Sequence, residues 1–330
     1  MERLLSGIQP SGELTLGNYI GAIKNFVELQ KEYESFVFIA DMHSITVSQD
    51  PNSLQKKIRS LIGIYLACGL DPKHTSLFIQ SENKYHANLS WILECNTYIG
   101  ELNRMTQFKD KSSNKKDDGI SCGLYTYPAL MAADILMYDA DVVPTGIDQK
   151  QHVELTRDLA TRFNNKYGET FKIPKPIIPK LGAKIMDLQN PTKKMSKSSP
   201  IDHKGSIRLL DDLEIARKKI MSAITDSESI IKYDEANKPG ISNLITIYSC
   251  LTNKSIKEIE NEFDGNNYGT FKKCVADIVV DFLGNLQSKY NEIINSDIID
   301  KVLDEGLAKT ENIAKTKVID VFNKVGLGRK

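Results

Sequence analysis

The first 80 residues alternate between short apolar runs and amphipathic helical patterns, and this alternation strongly limits the possible folds. Apolar runs typical of buried strands occupy residues 4–8, 36–40 and 77–80. Helical spacing of apolar side chains occupies residues 17–33 and 51–68. Asp50 followed by Pro51 is a typical helix start, and Gly69 is a typical helix stop. Strands and helices that alternate with short connections predict a parallel sheet with right-handed crossovers, which is the α/β class.

The rest of the chain changes from mixed to helical patterning. Further helical stretches lie near residues 85–98, 127–138 and 148–165. The polar, charged segment 109–119 has no period, so we expect a mobile loop there. A proline cluster at Pro174, Pro176 and Pro179 marks a change of architecture, and the apolar spacing is helical from about Asp211 onward. We therefore predict an α/β domain at residues 1–186, which the C-terminal helix could complete, and a mostly helical domain at residues 187–330.

Charge and cysteine content exclude several classes of protein. The formal net charge is zero, so the chain has no uniformly basic surface for nucleic acid, and an RNA contact needs a local patch. The most apolar stretch, near residues 61–70, is much shorter than the ~20 residues of a membrane-spanning helix, and no signal-peptide pattern is present. The five cysteines lack C-x-x-C spacing, which favours neither a disulfide framework nor a zinc site. We expect a soluble, cytoplasmic protein.

The turn after the first strand, residues 6–18 (SGIQPSGELTLGN), is a candidate phosphate site. Free backbone N–H groups and the helix dipole at the start of a helix favour anions. Gly7 and Gly17 would allow a planar ligand to approach closely, and Thr15 and Asn18 could donate hydrogen bonds to phosphate oxygens. An ordinary strand–helix turn with a capping threonine explains the same residues equally well.

A second candidate is the lysine loop, which we define as residues 194–198 (KMSKS). Two lysines three residues apart on a serine-rich loop can close over a polyphosphate and stabilise the charge that develops in nucleotidyl transfer. Met195 has no electrostatic role and would anchor the loop in apolar surroundings. The alternative is a solvated basic loop, as most pairs of lysines are, but the specific pentapeptide after an α/β domain favours the phosphate role.

Several motifs resemble those of the class I aminoacyl-tRNA synthetases. Residues 10–18, which end in T-L-G-N, resemble the "HIGH" region of that class, and K-M-S-K-S matches its second signature letter for letter. Three further stretches are similar to the bacterial tryptophanyl-tRNA synthetases: SGIQPS at 6–11, TYPALMAADIL at 126–136 and GIDQKQHVELTRD at 146–158. The similarity covers nearly the whole chain and includes P-G-I-S-N-L at 239–244 and the final G-L-G-R.

This resemblance implies a Rossmann-type catalytic domain, a helical anticodon-recognition domain and a homodimer. The implied partners are L-tryptophan, ATP with Mg²⁺, and tRNA(Trp), with neither a membrane nor DNA among them. The residues expected to bind ATP are Gln9, Pro10, Ser11, Gly17, Asn18, Gly146, Ile147, Asp148, Ile185, Lys194, Met195, Ser196, Lys197 and Ser198. The residues expected to bind tryptophan are Gly7, His43, Tyr127, Met131, Asp134 and Gln149. The residues expected to act in catalysis are Lys194, Lys197, Thr15 and Asn18.

Asp134 is the residue that we expect to determine amino-acid specificity. It lies on an apolar helical stretch, and the resemblance implies that it accepts the indole N–H, which is a donor only. Phenylalanine has no such donor, and sites of this kind discriminate by about 10⁴–10⁵ without editing. Without the resemblance, a salt-bridged helix aspartate would be the preferred interpretation. His43 follows the second strand, where ligand sites of open α/β sheets lie, and a structural role explains it as well as a catalytic one.

Two alternatives remain open from the sequence. Tyrosine also offers a hydrogen-bond donor, so a tyrosine-activating synthetase of the sister branch is the nearest alternative. A non-catalytic RNA-binding or regulatory paralogue is the second, although such a protein would be expected to lose the lysines or Asp134. Two departures from the family pattern are Leu5, where an aromatic wall is common, and Ile147, where an acidic residue is common.

Overall fold

The predicted alternation of strands and helices folds into a parallel sheet. The computed structural model describes residues 1–113, 119–146, 149–177, 183–197, 199–200 and 202–329, with 110–113 described by their backbone alone. Within these residues the strands are β1 (Arg3–Ile8), β2 (Glu34–Ile39), β3 (Thr75–Ile79), β4 (Val142–Pro144) and β5 (Lys175–Ile177). They pair in parallel in the order β3-β2-β1-β4-β5, which confirms the predicted α/β class.

Helical segments connect the successive strands in the first half of the chain. They are α1 (Leu16–Asn18), a π-helical segment (Tyr19–Ile23), α2 (Lys24–Leu29), α3 (Asp41–Ser44), α4 (Pro51–Ala67), a 3-10 turn (Gln80–Glu82), α5 (Tyr85–Glu94), α6 (Ile99–Leu102), α7 (Thr106–Ser113), α8 (Cys122–Leu136) and α9 (Lys150–Tyr167). The predicted boundaries of α4 hold: the Asp50 side chain accepts from the Ser53 N–H, and Gly69 has a φ of 105°.

Both faces of the sheet are covered. Side chains of a strand alternate between the two faces, and alternate residues of β2 enter two different apolar clusters. Val37 and Ile39 join a cluster with α4, whereas Phe36 and Phe38 join one with α5 and α8. This explains why β2 reads as a continuous apolar run, as strands buried on both faces do.

The second half of the chain is helical, as predicted. Its helices are α10 (Leu213–Met221), α11 (Pro239–Thr252), α12 (Ile256–Glu262), α13 (Tyr268–Ile294) and α14 (Ile298–Val325). Helix α13 packs on α4, and α14 returns to the sheet and packs against β3. The closest approach is at Gly306, where an added Cβ would lie 1.9 Å from the Leu77 carbonyl oxygen.

Several predicted boundaries differ from the structure. The stretch predicted as helix at 85–98 ends at Glu94, and α8 begins at Cys122 because the Ser121 side chain caps it by accepting from the Leu124 N–H. The loop prediction for 109–119 was wrong at its start, since α7 extends to Ser113, and residues 114–118 lie outside the described residues. The strands β4 and β5 were not predicted, because each has only three residues and includes a proline.

Candidate active site

The order of the strands reverses at β1, which lies between β2 and β4. Connections diverge at such a switch point and leave a crevice at the carboxyl ends of the strands, where open α/β sheets bind ligands. A cavity of about 270 Å³ lies there. Its walls include eight of the residues that were predicted from sequence: Gly7, Gln9, His43, Tyr127, Met131, Asp134, Gly146 and Gln149.

Asp134 lies in the wall of this cavity with no solvent exposure, and three side chains hold its carboxylate. His43 Nε2 is 2.8 Å from Oδ2, and His86 Nδ1 is 2.7 Å from Oδ1. Gln80 Nε2 donates to Oδ1 at 2.8 Å. The two histidines come from α3 and α5 and Gln80 follows β3, so three separate segments set the direction in which the carboxylate points.

These contacts decide the charge of Asp134. Burial alone would raise the pKa of this carboxyl, but hydrogen bonds and charge interactions with His43 and His86 lower the pKa from its usual 3.8 to about 2. Hydrogen bonds to the charged form outweigh desolvation here, so the group is ionised at neutral pH. A buried carboxylate in a cavity wall is suited to accept an N–H bond from a ligand, because a charged acceptor makes a stronger bond than a neutral one.

Polar contacts continue from Asp134 through His86 to Tyr138 and Asn83. The Tyr138 hydroxyl is 2.8 Å from His86 Nε2 and accepts from Asn83 Nδ2 at 3.2 Å. Tyr138 is fully buried, and its pKa is raised by burial first and by the Asp134 charge second. Helix α14 packs against α5, which carries His86. The position of the carboxylate is therefore tied to the packing of α14 on the sheet.

The remaining walls are apolar and aromatic. Phe38 lines the cavity, and a Cβ on Gly7 would lie 2.5 Å from its ring, so glycine is required for the strand and the ring to meet. Leu5 also lines the cavity, at a position where an aromatic residue is common, and Phe38 supplies the aromatic surface that Leu5 lacks. The hydroxyl of Tyr127 is 2.9 Å from His152 Nε2, which holds this tyrosine in the wall.

The turn after β1 is organised by a reciprocal cap. The Thr15 hydroxyl accepts from the Asn18 N–H at 3.3 Å, and Asn18 Oδ1 accepts from the Thr15 N–H at 2.9 Å. Thr15 is 1% exposed and its hydroxyl also lies 3.0 Å from Asn18 Oδ1. Its observed role is to fix Asn18 at the start of the helix. Direct contact of Thr15 or Asn18 with a phosphate stays a prediction.

The lysine loop lies against this turn. Lys197 Nζ donates to Ser11 Oγ at 3.0 Å, and burial lowers the pKa of Lys197. Met195 is buried, as expected for an apolar anchor, and an added Cβ on Gly17 would lie 3.3 Å from the Met195 Cβ and 3.5 Å from that of Ile185. The structure therefore brings Ser11, Gly17, Ile185, Met195 and Lys197 together. Of the other residues predicted to bind ATP here, Lys194 and Ser196 are exposed and Pro10 is buried.

Three predicted residues, Ile147, Asp148 and Ser198, lie outside the described residues. The residues around the cavity that were missed include Gln80, His86, Phe38 and Tyr138. His86 was set aside because its spacing suits no metal. The position of Gln80 at the carboxyl end of a predicted strand could have indicated a role.

Neither a metal-binding cluster nor a membrane-spanning helix is found among the described residues. No group of three or more histidine, cysteine, aspartate or glutamate side chains there could hold a metal ion, so these residues do not fit a dedicated metal site. No helix within them is both long and apolar enough to cross a membrane.

Comparisons with known proteins agree with this geometry. The family model described as tRNA synthetases class I (W and Y) matches residues 1–284. The tryptophan–tRNA ligase of Bacillus subtilis is 54% identical and covers 100% of this chain and 99% of its own length. That of Listeria monocytogenes serovar 1/2a is 55% identical, with 99% and 98% covered. The crystal structure of the Campylobacter jejuni tryptophanyl-tRNA synthetase complexed with ADP and tryptophan superposes with a TM-score of 0.86, at 35% identity over 98% of this chain and 100% of that one. The chain belongs to the bacterial-type tryptophan–tRNA ligases of the class I tRNA synthetases.

Proposed function

We propose that this chain activates L-tryptophan with ATP and transfers the aminoacyl group to tRNA(Trp). The observation that carries this proposal is an ionised, fully buried Asp134 in the wall of a small cavity, beside a turn that the lysine loop covers. The relatives that are 54% and 55% identical are named tryptophan–tRNA ligases. Their names argue against a tyrosine-activating enzyme and against a non-catalytic paralogue.

The first chemical step needs no general base. The carboxylate of tryptophan is a nucleophile at neutral pH and attacks the α-phosphate of ATP in line, which forms tryptophanyl-adenylate and releases pyrophosphate. Catalysis of such a step consists mostly of positioning and charge stabilisation. Gln9, Ser11, Gly17, Asn18 and the lysine loop would hold the nucleotide. The contact between Lys197 and Ser11 is one that the phosphates would replace.

Amino-acid selection would depend on Asp134. Its Oδ2 binds His43, and both residues line the cavity, so this is the oxygen that we propose as the acceptor of an indole N–H. Phenylalanine would leave the buried charge without that bond, and the cost would appear in kcat/KM. Tyr127, Met131, Gln149 and Gly7 would enclose the rest of the amino acid.

Four further assignments belong to the proposal. Residues 1–186 would form the catalytic domain and residues 187–330 would contain the lysine loop and the anticodon-reading helices. Mg²⁺ would arrive with the phosphates of ATP and reduce their charge. Ile147, Asp148 and Ser198 would contact ATP together with Gly146, Ile185, Lys194, Met195 and Ser196. The enzyme would act in the cytoplasm.

We also propose a homodimer, which exposed apolar side chains support. Ile45 and Trp91 border one groove, and Ile45 and Ile120 border a neighbouring one. All three side chains are exposed. The first groove shares Thr46 and Tyr127 with the wall of the tryptophan cavity, so a second subunit there would lie next to the active site.

Amino-acid-dependent exchange of pyrophosphate with ATP tests the function. We expect exchange with tryptophan and not with phenylalanine or tyrosine, and its loss in Asp134→Ala. Lys197→Ala should abolish exchange while tryptophan binding by calorimetry remains, because this lysine acts on the phosphates. Lys193→Ala, next to the lysine loop, is the matched control and should keep exchange. Exchange with tyrosine alone, or with no amino acid, would contradict the proposal.

A further inference from the structure

The motif P-G-I-S-N-L at 239–244 has no role in the site described above, although it begins helix α11. Within it, Asn243 is only 4% exposed and bonds to both backbone groups of a single residue. Its Oδ1 accepts from the Met186 N–H at 2.8 Å, and its Nδ2 donates to the Met186 carbonyl at 3.0 Å. A side-chain amide used in this way replaces the neighbouring strand that an extended residue would otherwise have.

Met186 lies at the base of the lysine loop. Residues 185–187 pair antiparallel with residues 193–195 through backbone hydrogen bonds of 3.0 and 2.8 Å and a bridge between Met186 and Lys194. In this ladder the backbone groups of Met186 point away from Lys194, toward α11. One edge of the segment 185–187 therefore pairs with the start of the lysine loop, and Asn243 bonds to its other edge.

Two further contacts attach the same segment to the start of α11. The Ile224 N–H donates to the Leu188 carbonyl at 2.8 Å, two residues after Met186. An added Cβ at Gly240 would lie 2.1 Å from the Ile224 carbonyl oxygen, so α11 can approach this chain only with a glycine there. The first turn of α11 thus contacts the base of the loop directly through Asn243 and indirectly through Ile224.

We propose that Asn243 is a positioning residue for nucleotide activation, which acts by fixing the base of the lysine loop. With its base fixed, the loop would hold Lys194 and Lys197 in one place over the phosphates. The inference rests on the proposed function, because it concerns the step in which those lysines stabilise charge. No residue of α11 lines the tryptophan cavity, so Asn243 would not contact the bound amino acid there.

The test compares Asn243→Ala and Asn243→Asp with Ser242→Ala. Ser242 is equally buried on the same helix, but its hydroxyl accepts from the Asp234 N–H and does not contact the loop. Asn243→Asp keeps the size and the acceptor but loses the donor to the Met186 carbonyl, so it serves if the alanine variant fails to fold. Pyrophosphate exchange, tryptophan binding by calorimetry and cleavage by trypsin within residues 193–197 are measured for each.

We expect both Asn243 variants to lower kcat for exchange by roughly tenfold or more, as a misplaced reacting group does. Tryptophan affinity should change by less than about twofold, and trypsin should cut the loop faster than in the wild type. Ser242→Ala should match the wild type in kcat and in loop cleavage. Equal kcat and cleavage in Asn243→Asp and Ser242→Ala would overturn the inference while the exchange of the wild type still supports the function. Absence of exchange in the wild type would overturn the function itself.

Discussion

The charge of Asp134 depends on its neighbours rather than on water. A carboxylate without solvent exposure would take up a proton unless donors paid for its desolvation, and here His43, His86 and Gln80 supply three of them. The same donors fix the rotamer, so the proposed indole N–H would meet an acceptor whose orientation is already set. Such pre-organisation contributes to specificity because no reorganisation is needed on binding.

The low pKa of Asp134 predicts a pH-dependent contribution to stability. Because the folded pKa is about 2 and the usual value is 3.8, the contribution is present above about pH 4 and is lost as the pH falls from about 4 to 2. The shift corresponds to roughly 2 kcal/mol at neutral pH. Urea unfolding of the wild type and Asp134→Asn should give free energies that differ at pH 7 and converge as the pH falls toward 3. A difference that stays constant over this range would contradict the assignment.

Much of this site was predictable from short motifs, but not the groups that support it. Asp134 was identified because it lies in a stretch that resembles a known family, and His43 because it follows a predicted strand. His86 and Gln80 come from other segments and carry no local signal, since a buried polar network depends on which segments the fold brings together. Thr15 was expected at a phosphate, and the structure shows it as a buried cap, because a threonine before a helix serves either role.

At the scale of elements, long periodic segments were predicted well and short ones were not. The ends of β1, β2 and β3 were predicted to within two residues, whereas β4 and β5 were missed. A strand of three residues has too few positions to show alternation, and its existence depends on pairing with β1. This omission matters for function, because the switch point between β2 and β4 is what places the cavity.

Alanine substitutions at two helical glycines should have opposite effects on the free energy of unfolding, because only one of the two glycines lies in a close contact. Gly306→Ala would place a methyl group 1.9 Å from the Leu77 carbonyl oxygen, so the helix must move away from the sheet. We expect a loss of about 1–3 kcal/mol, the usual cost of overpacking. Gly284→Ala, within α13, has Leu213 Cδ1 at 3.6 Å as its nearest neighbour and should be stabilising by about 0.5–1 kcal/mol. Urea midpoints measure both, and equal shifts would refute the close-contact explanation.

At the scale of the whole molecule, the fold joins parts that are distant in sequence. Ser11 and Lys197 are 186 positions apart and yet share a hydrogen bond. Helix α14 returns from the helical half to complete one face of the sheet and packs against α5, which carries His86. A cleavage between the two proposed domains would therefore disturb both the lysine loop and the support of Asp134, although the net charge and composition of the chain give no sign of this dependence.

The proposed dimer makes a prediction that the single tryptophan of the chain can report. Ile45 and Trp91 are 66% and 64% exposed, and burial of such side chains drives association. In the absence of substrate, Trp91 emission should shift to shorter wavelength as the protein concentration rises, because a partner would remove its ring from water.

Ile45→Asp should sediment as a monomer in analytical ultracentrifugation and keep the red-shifted emission of exposed Trp91, since it places a charge in the apolar groove. Ile230→Asp is the matched control, because Ile230 is 58% exposed but lies in the helical half, outside both grooves. It should sediment as the wild type does. A wild type that remains monomeric, or an Ile45→Asp variant that remains dimeric, would remove this face as the interface. If the monomer also lost tryptophan affinity, the cause would be the shared wall residues Thr46 and Tyr127, which the partner would no longer hold in place.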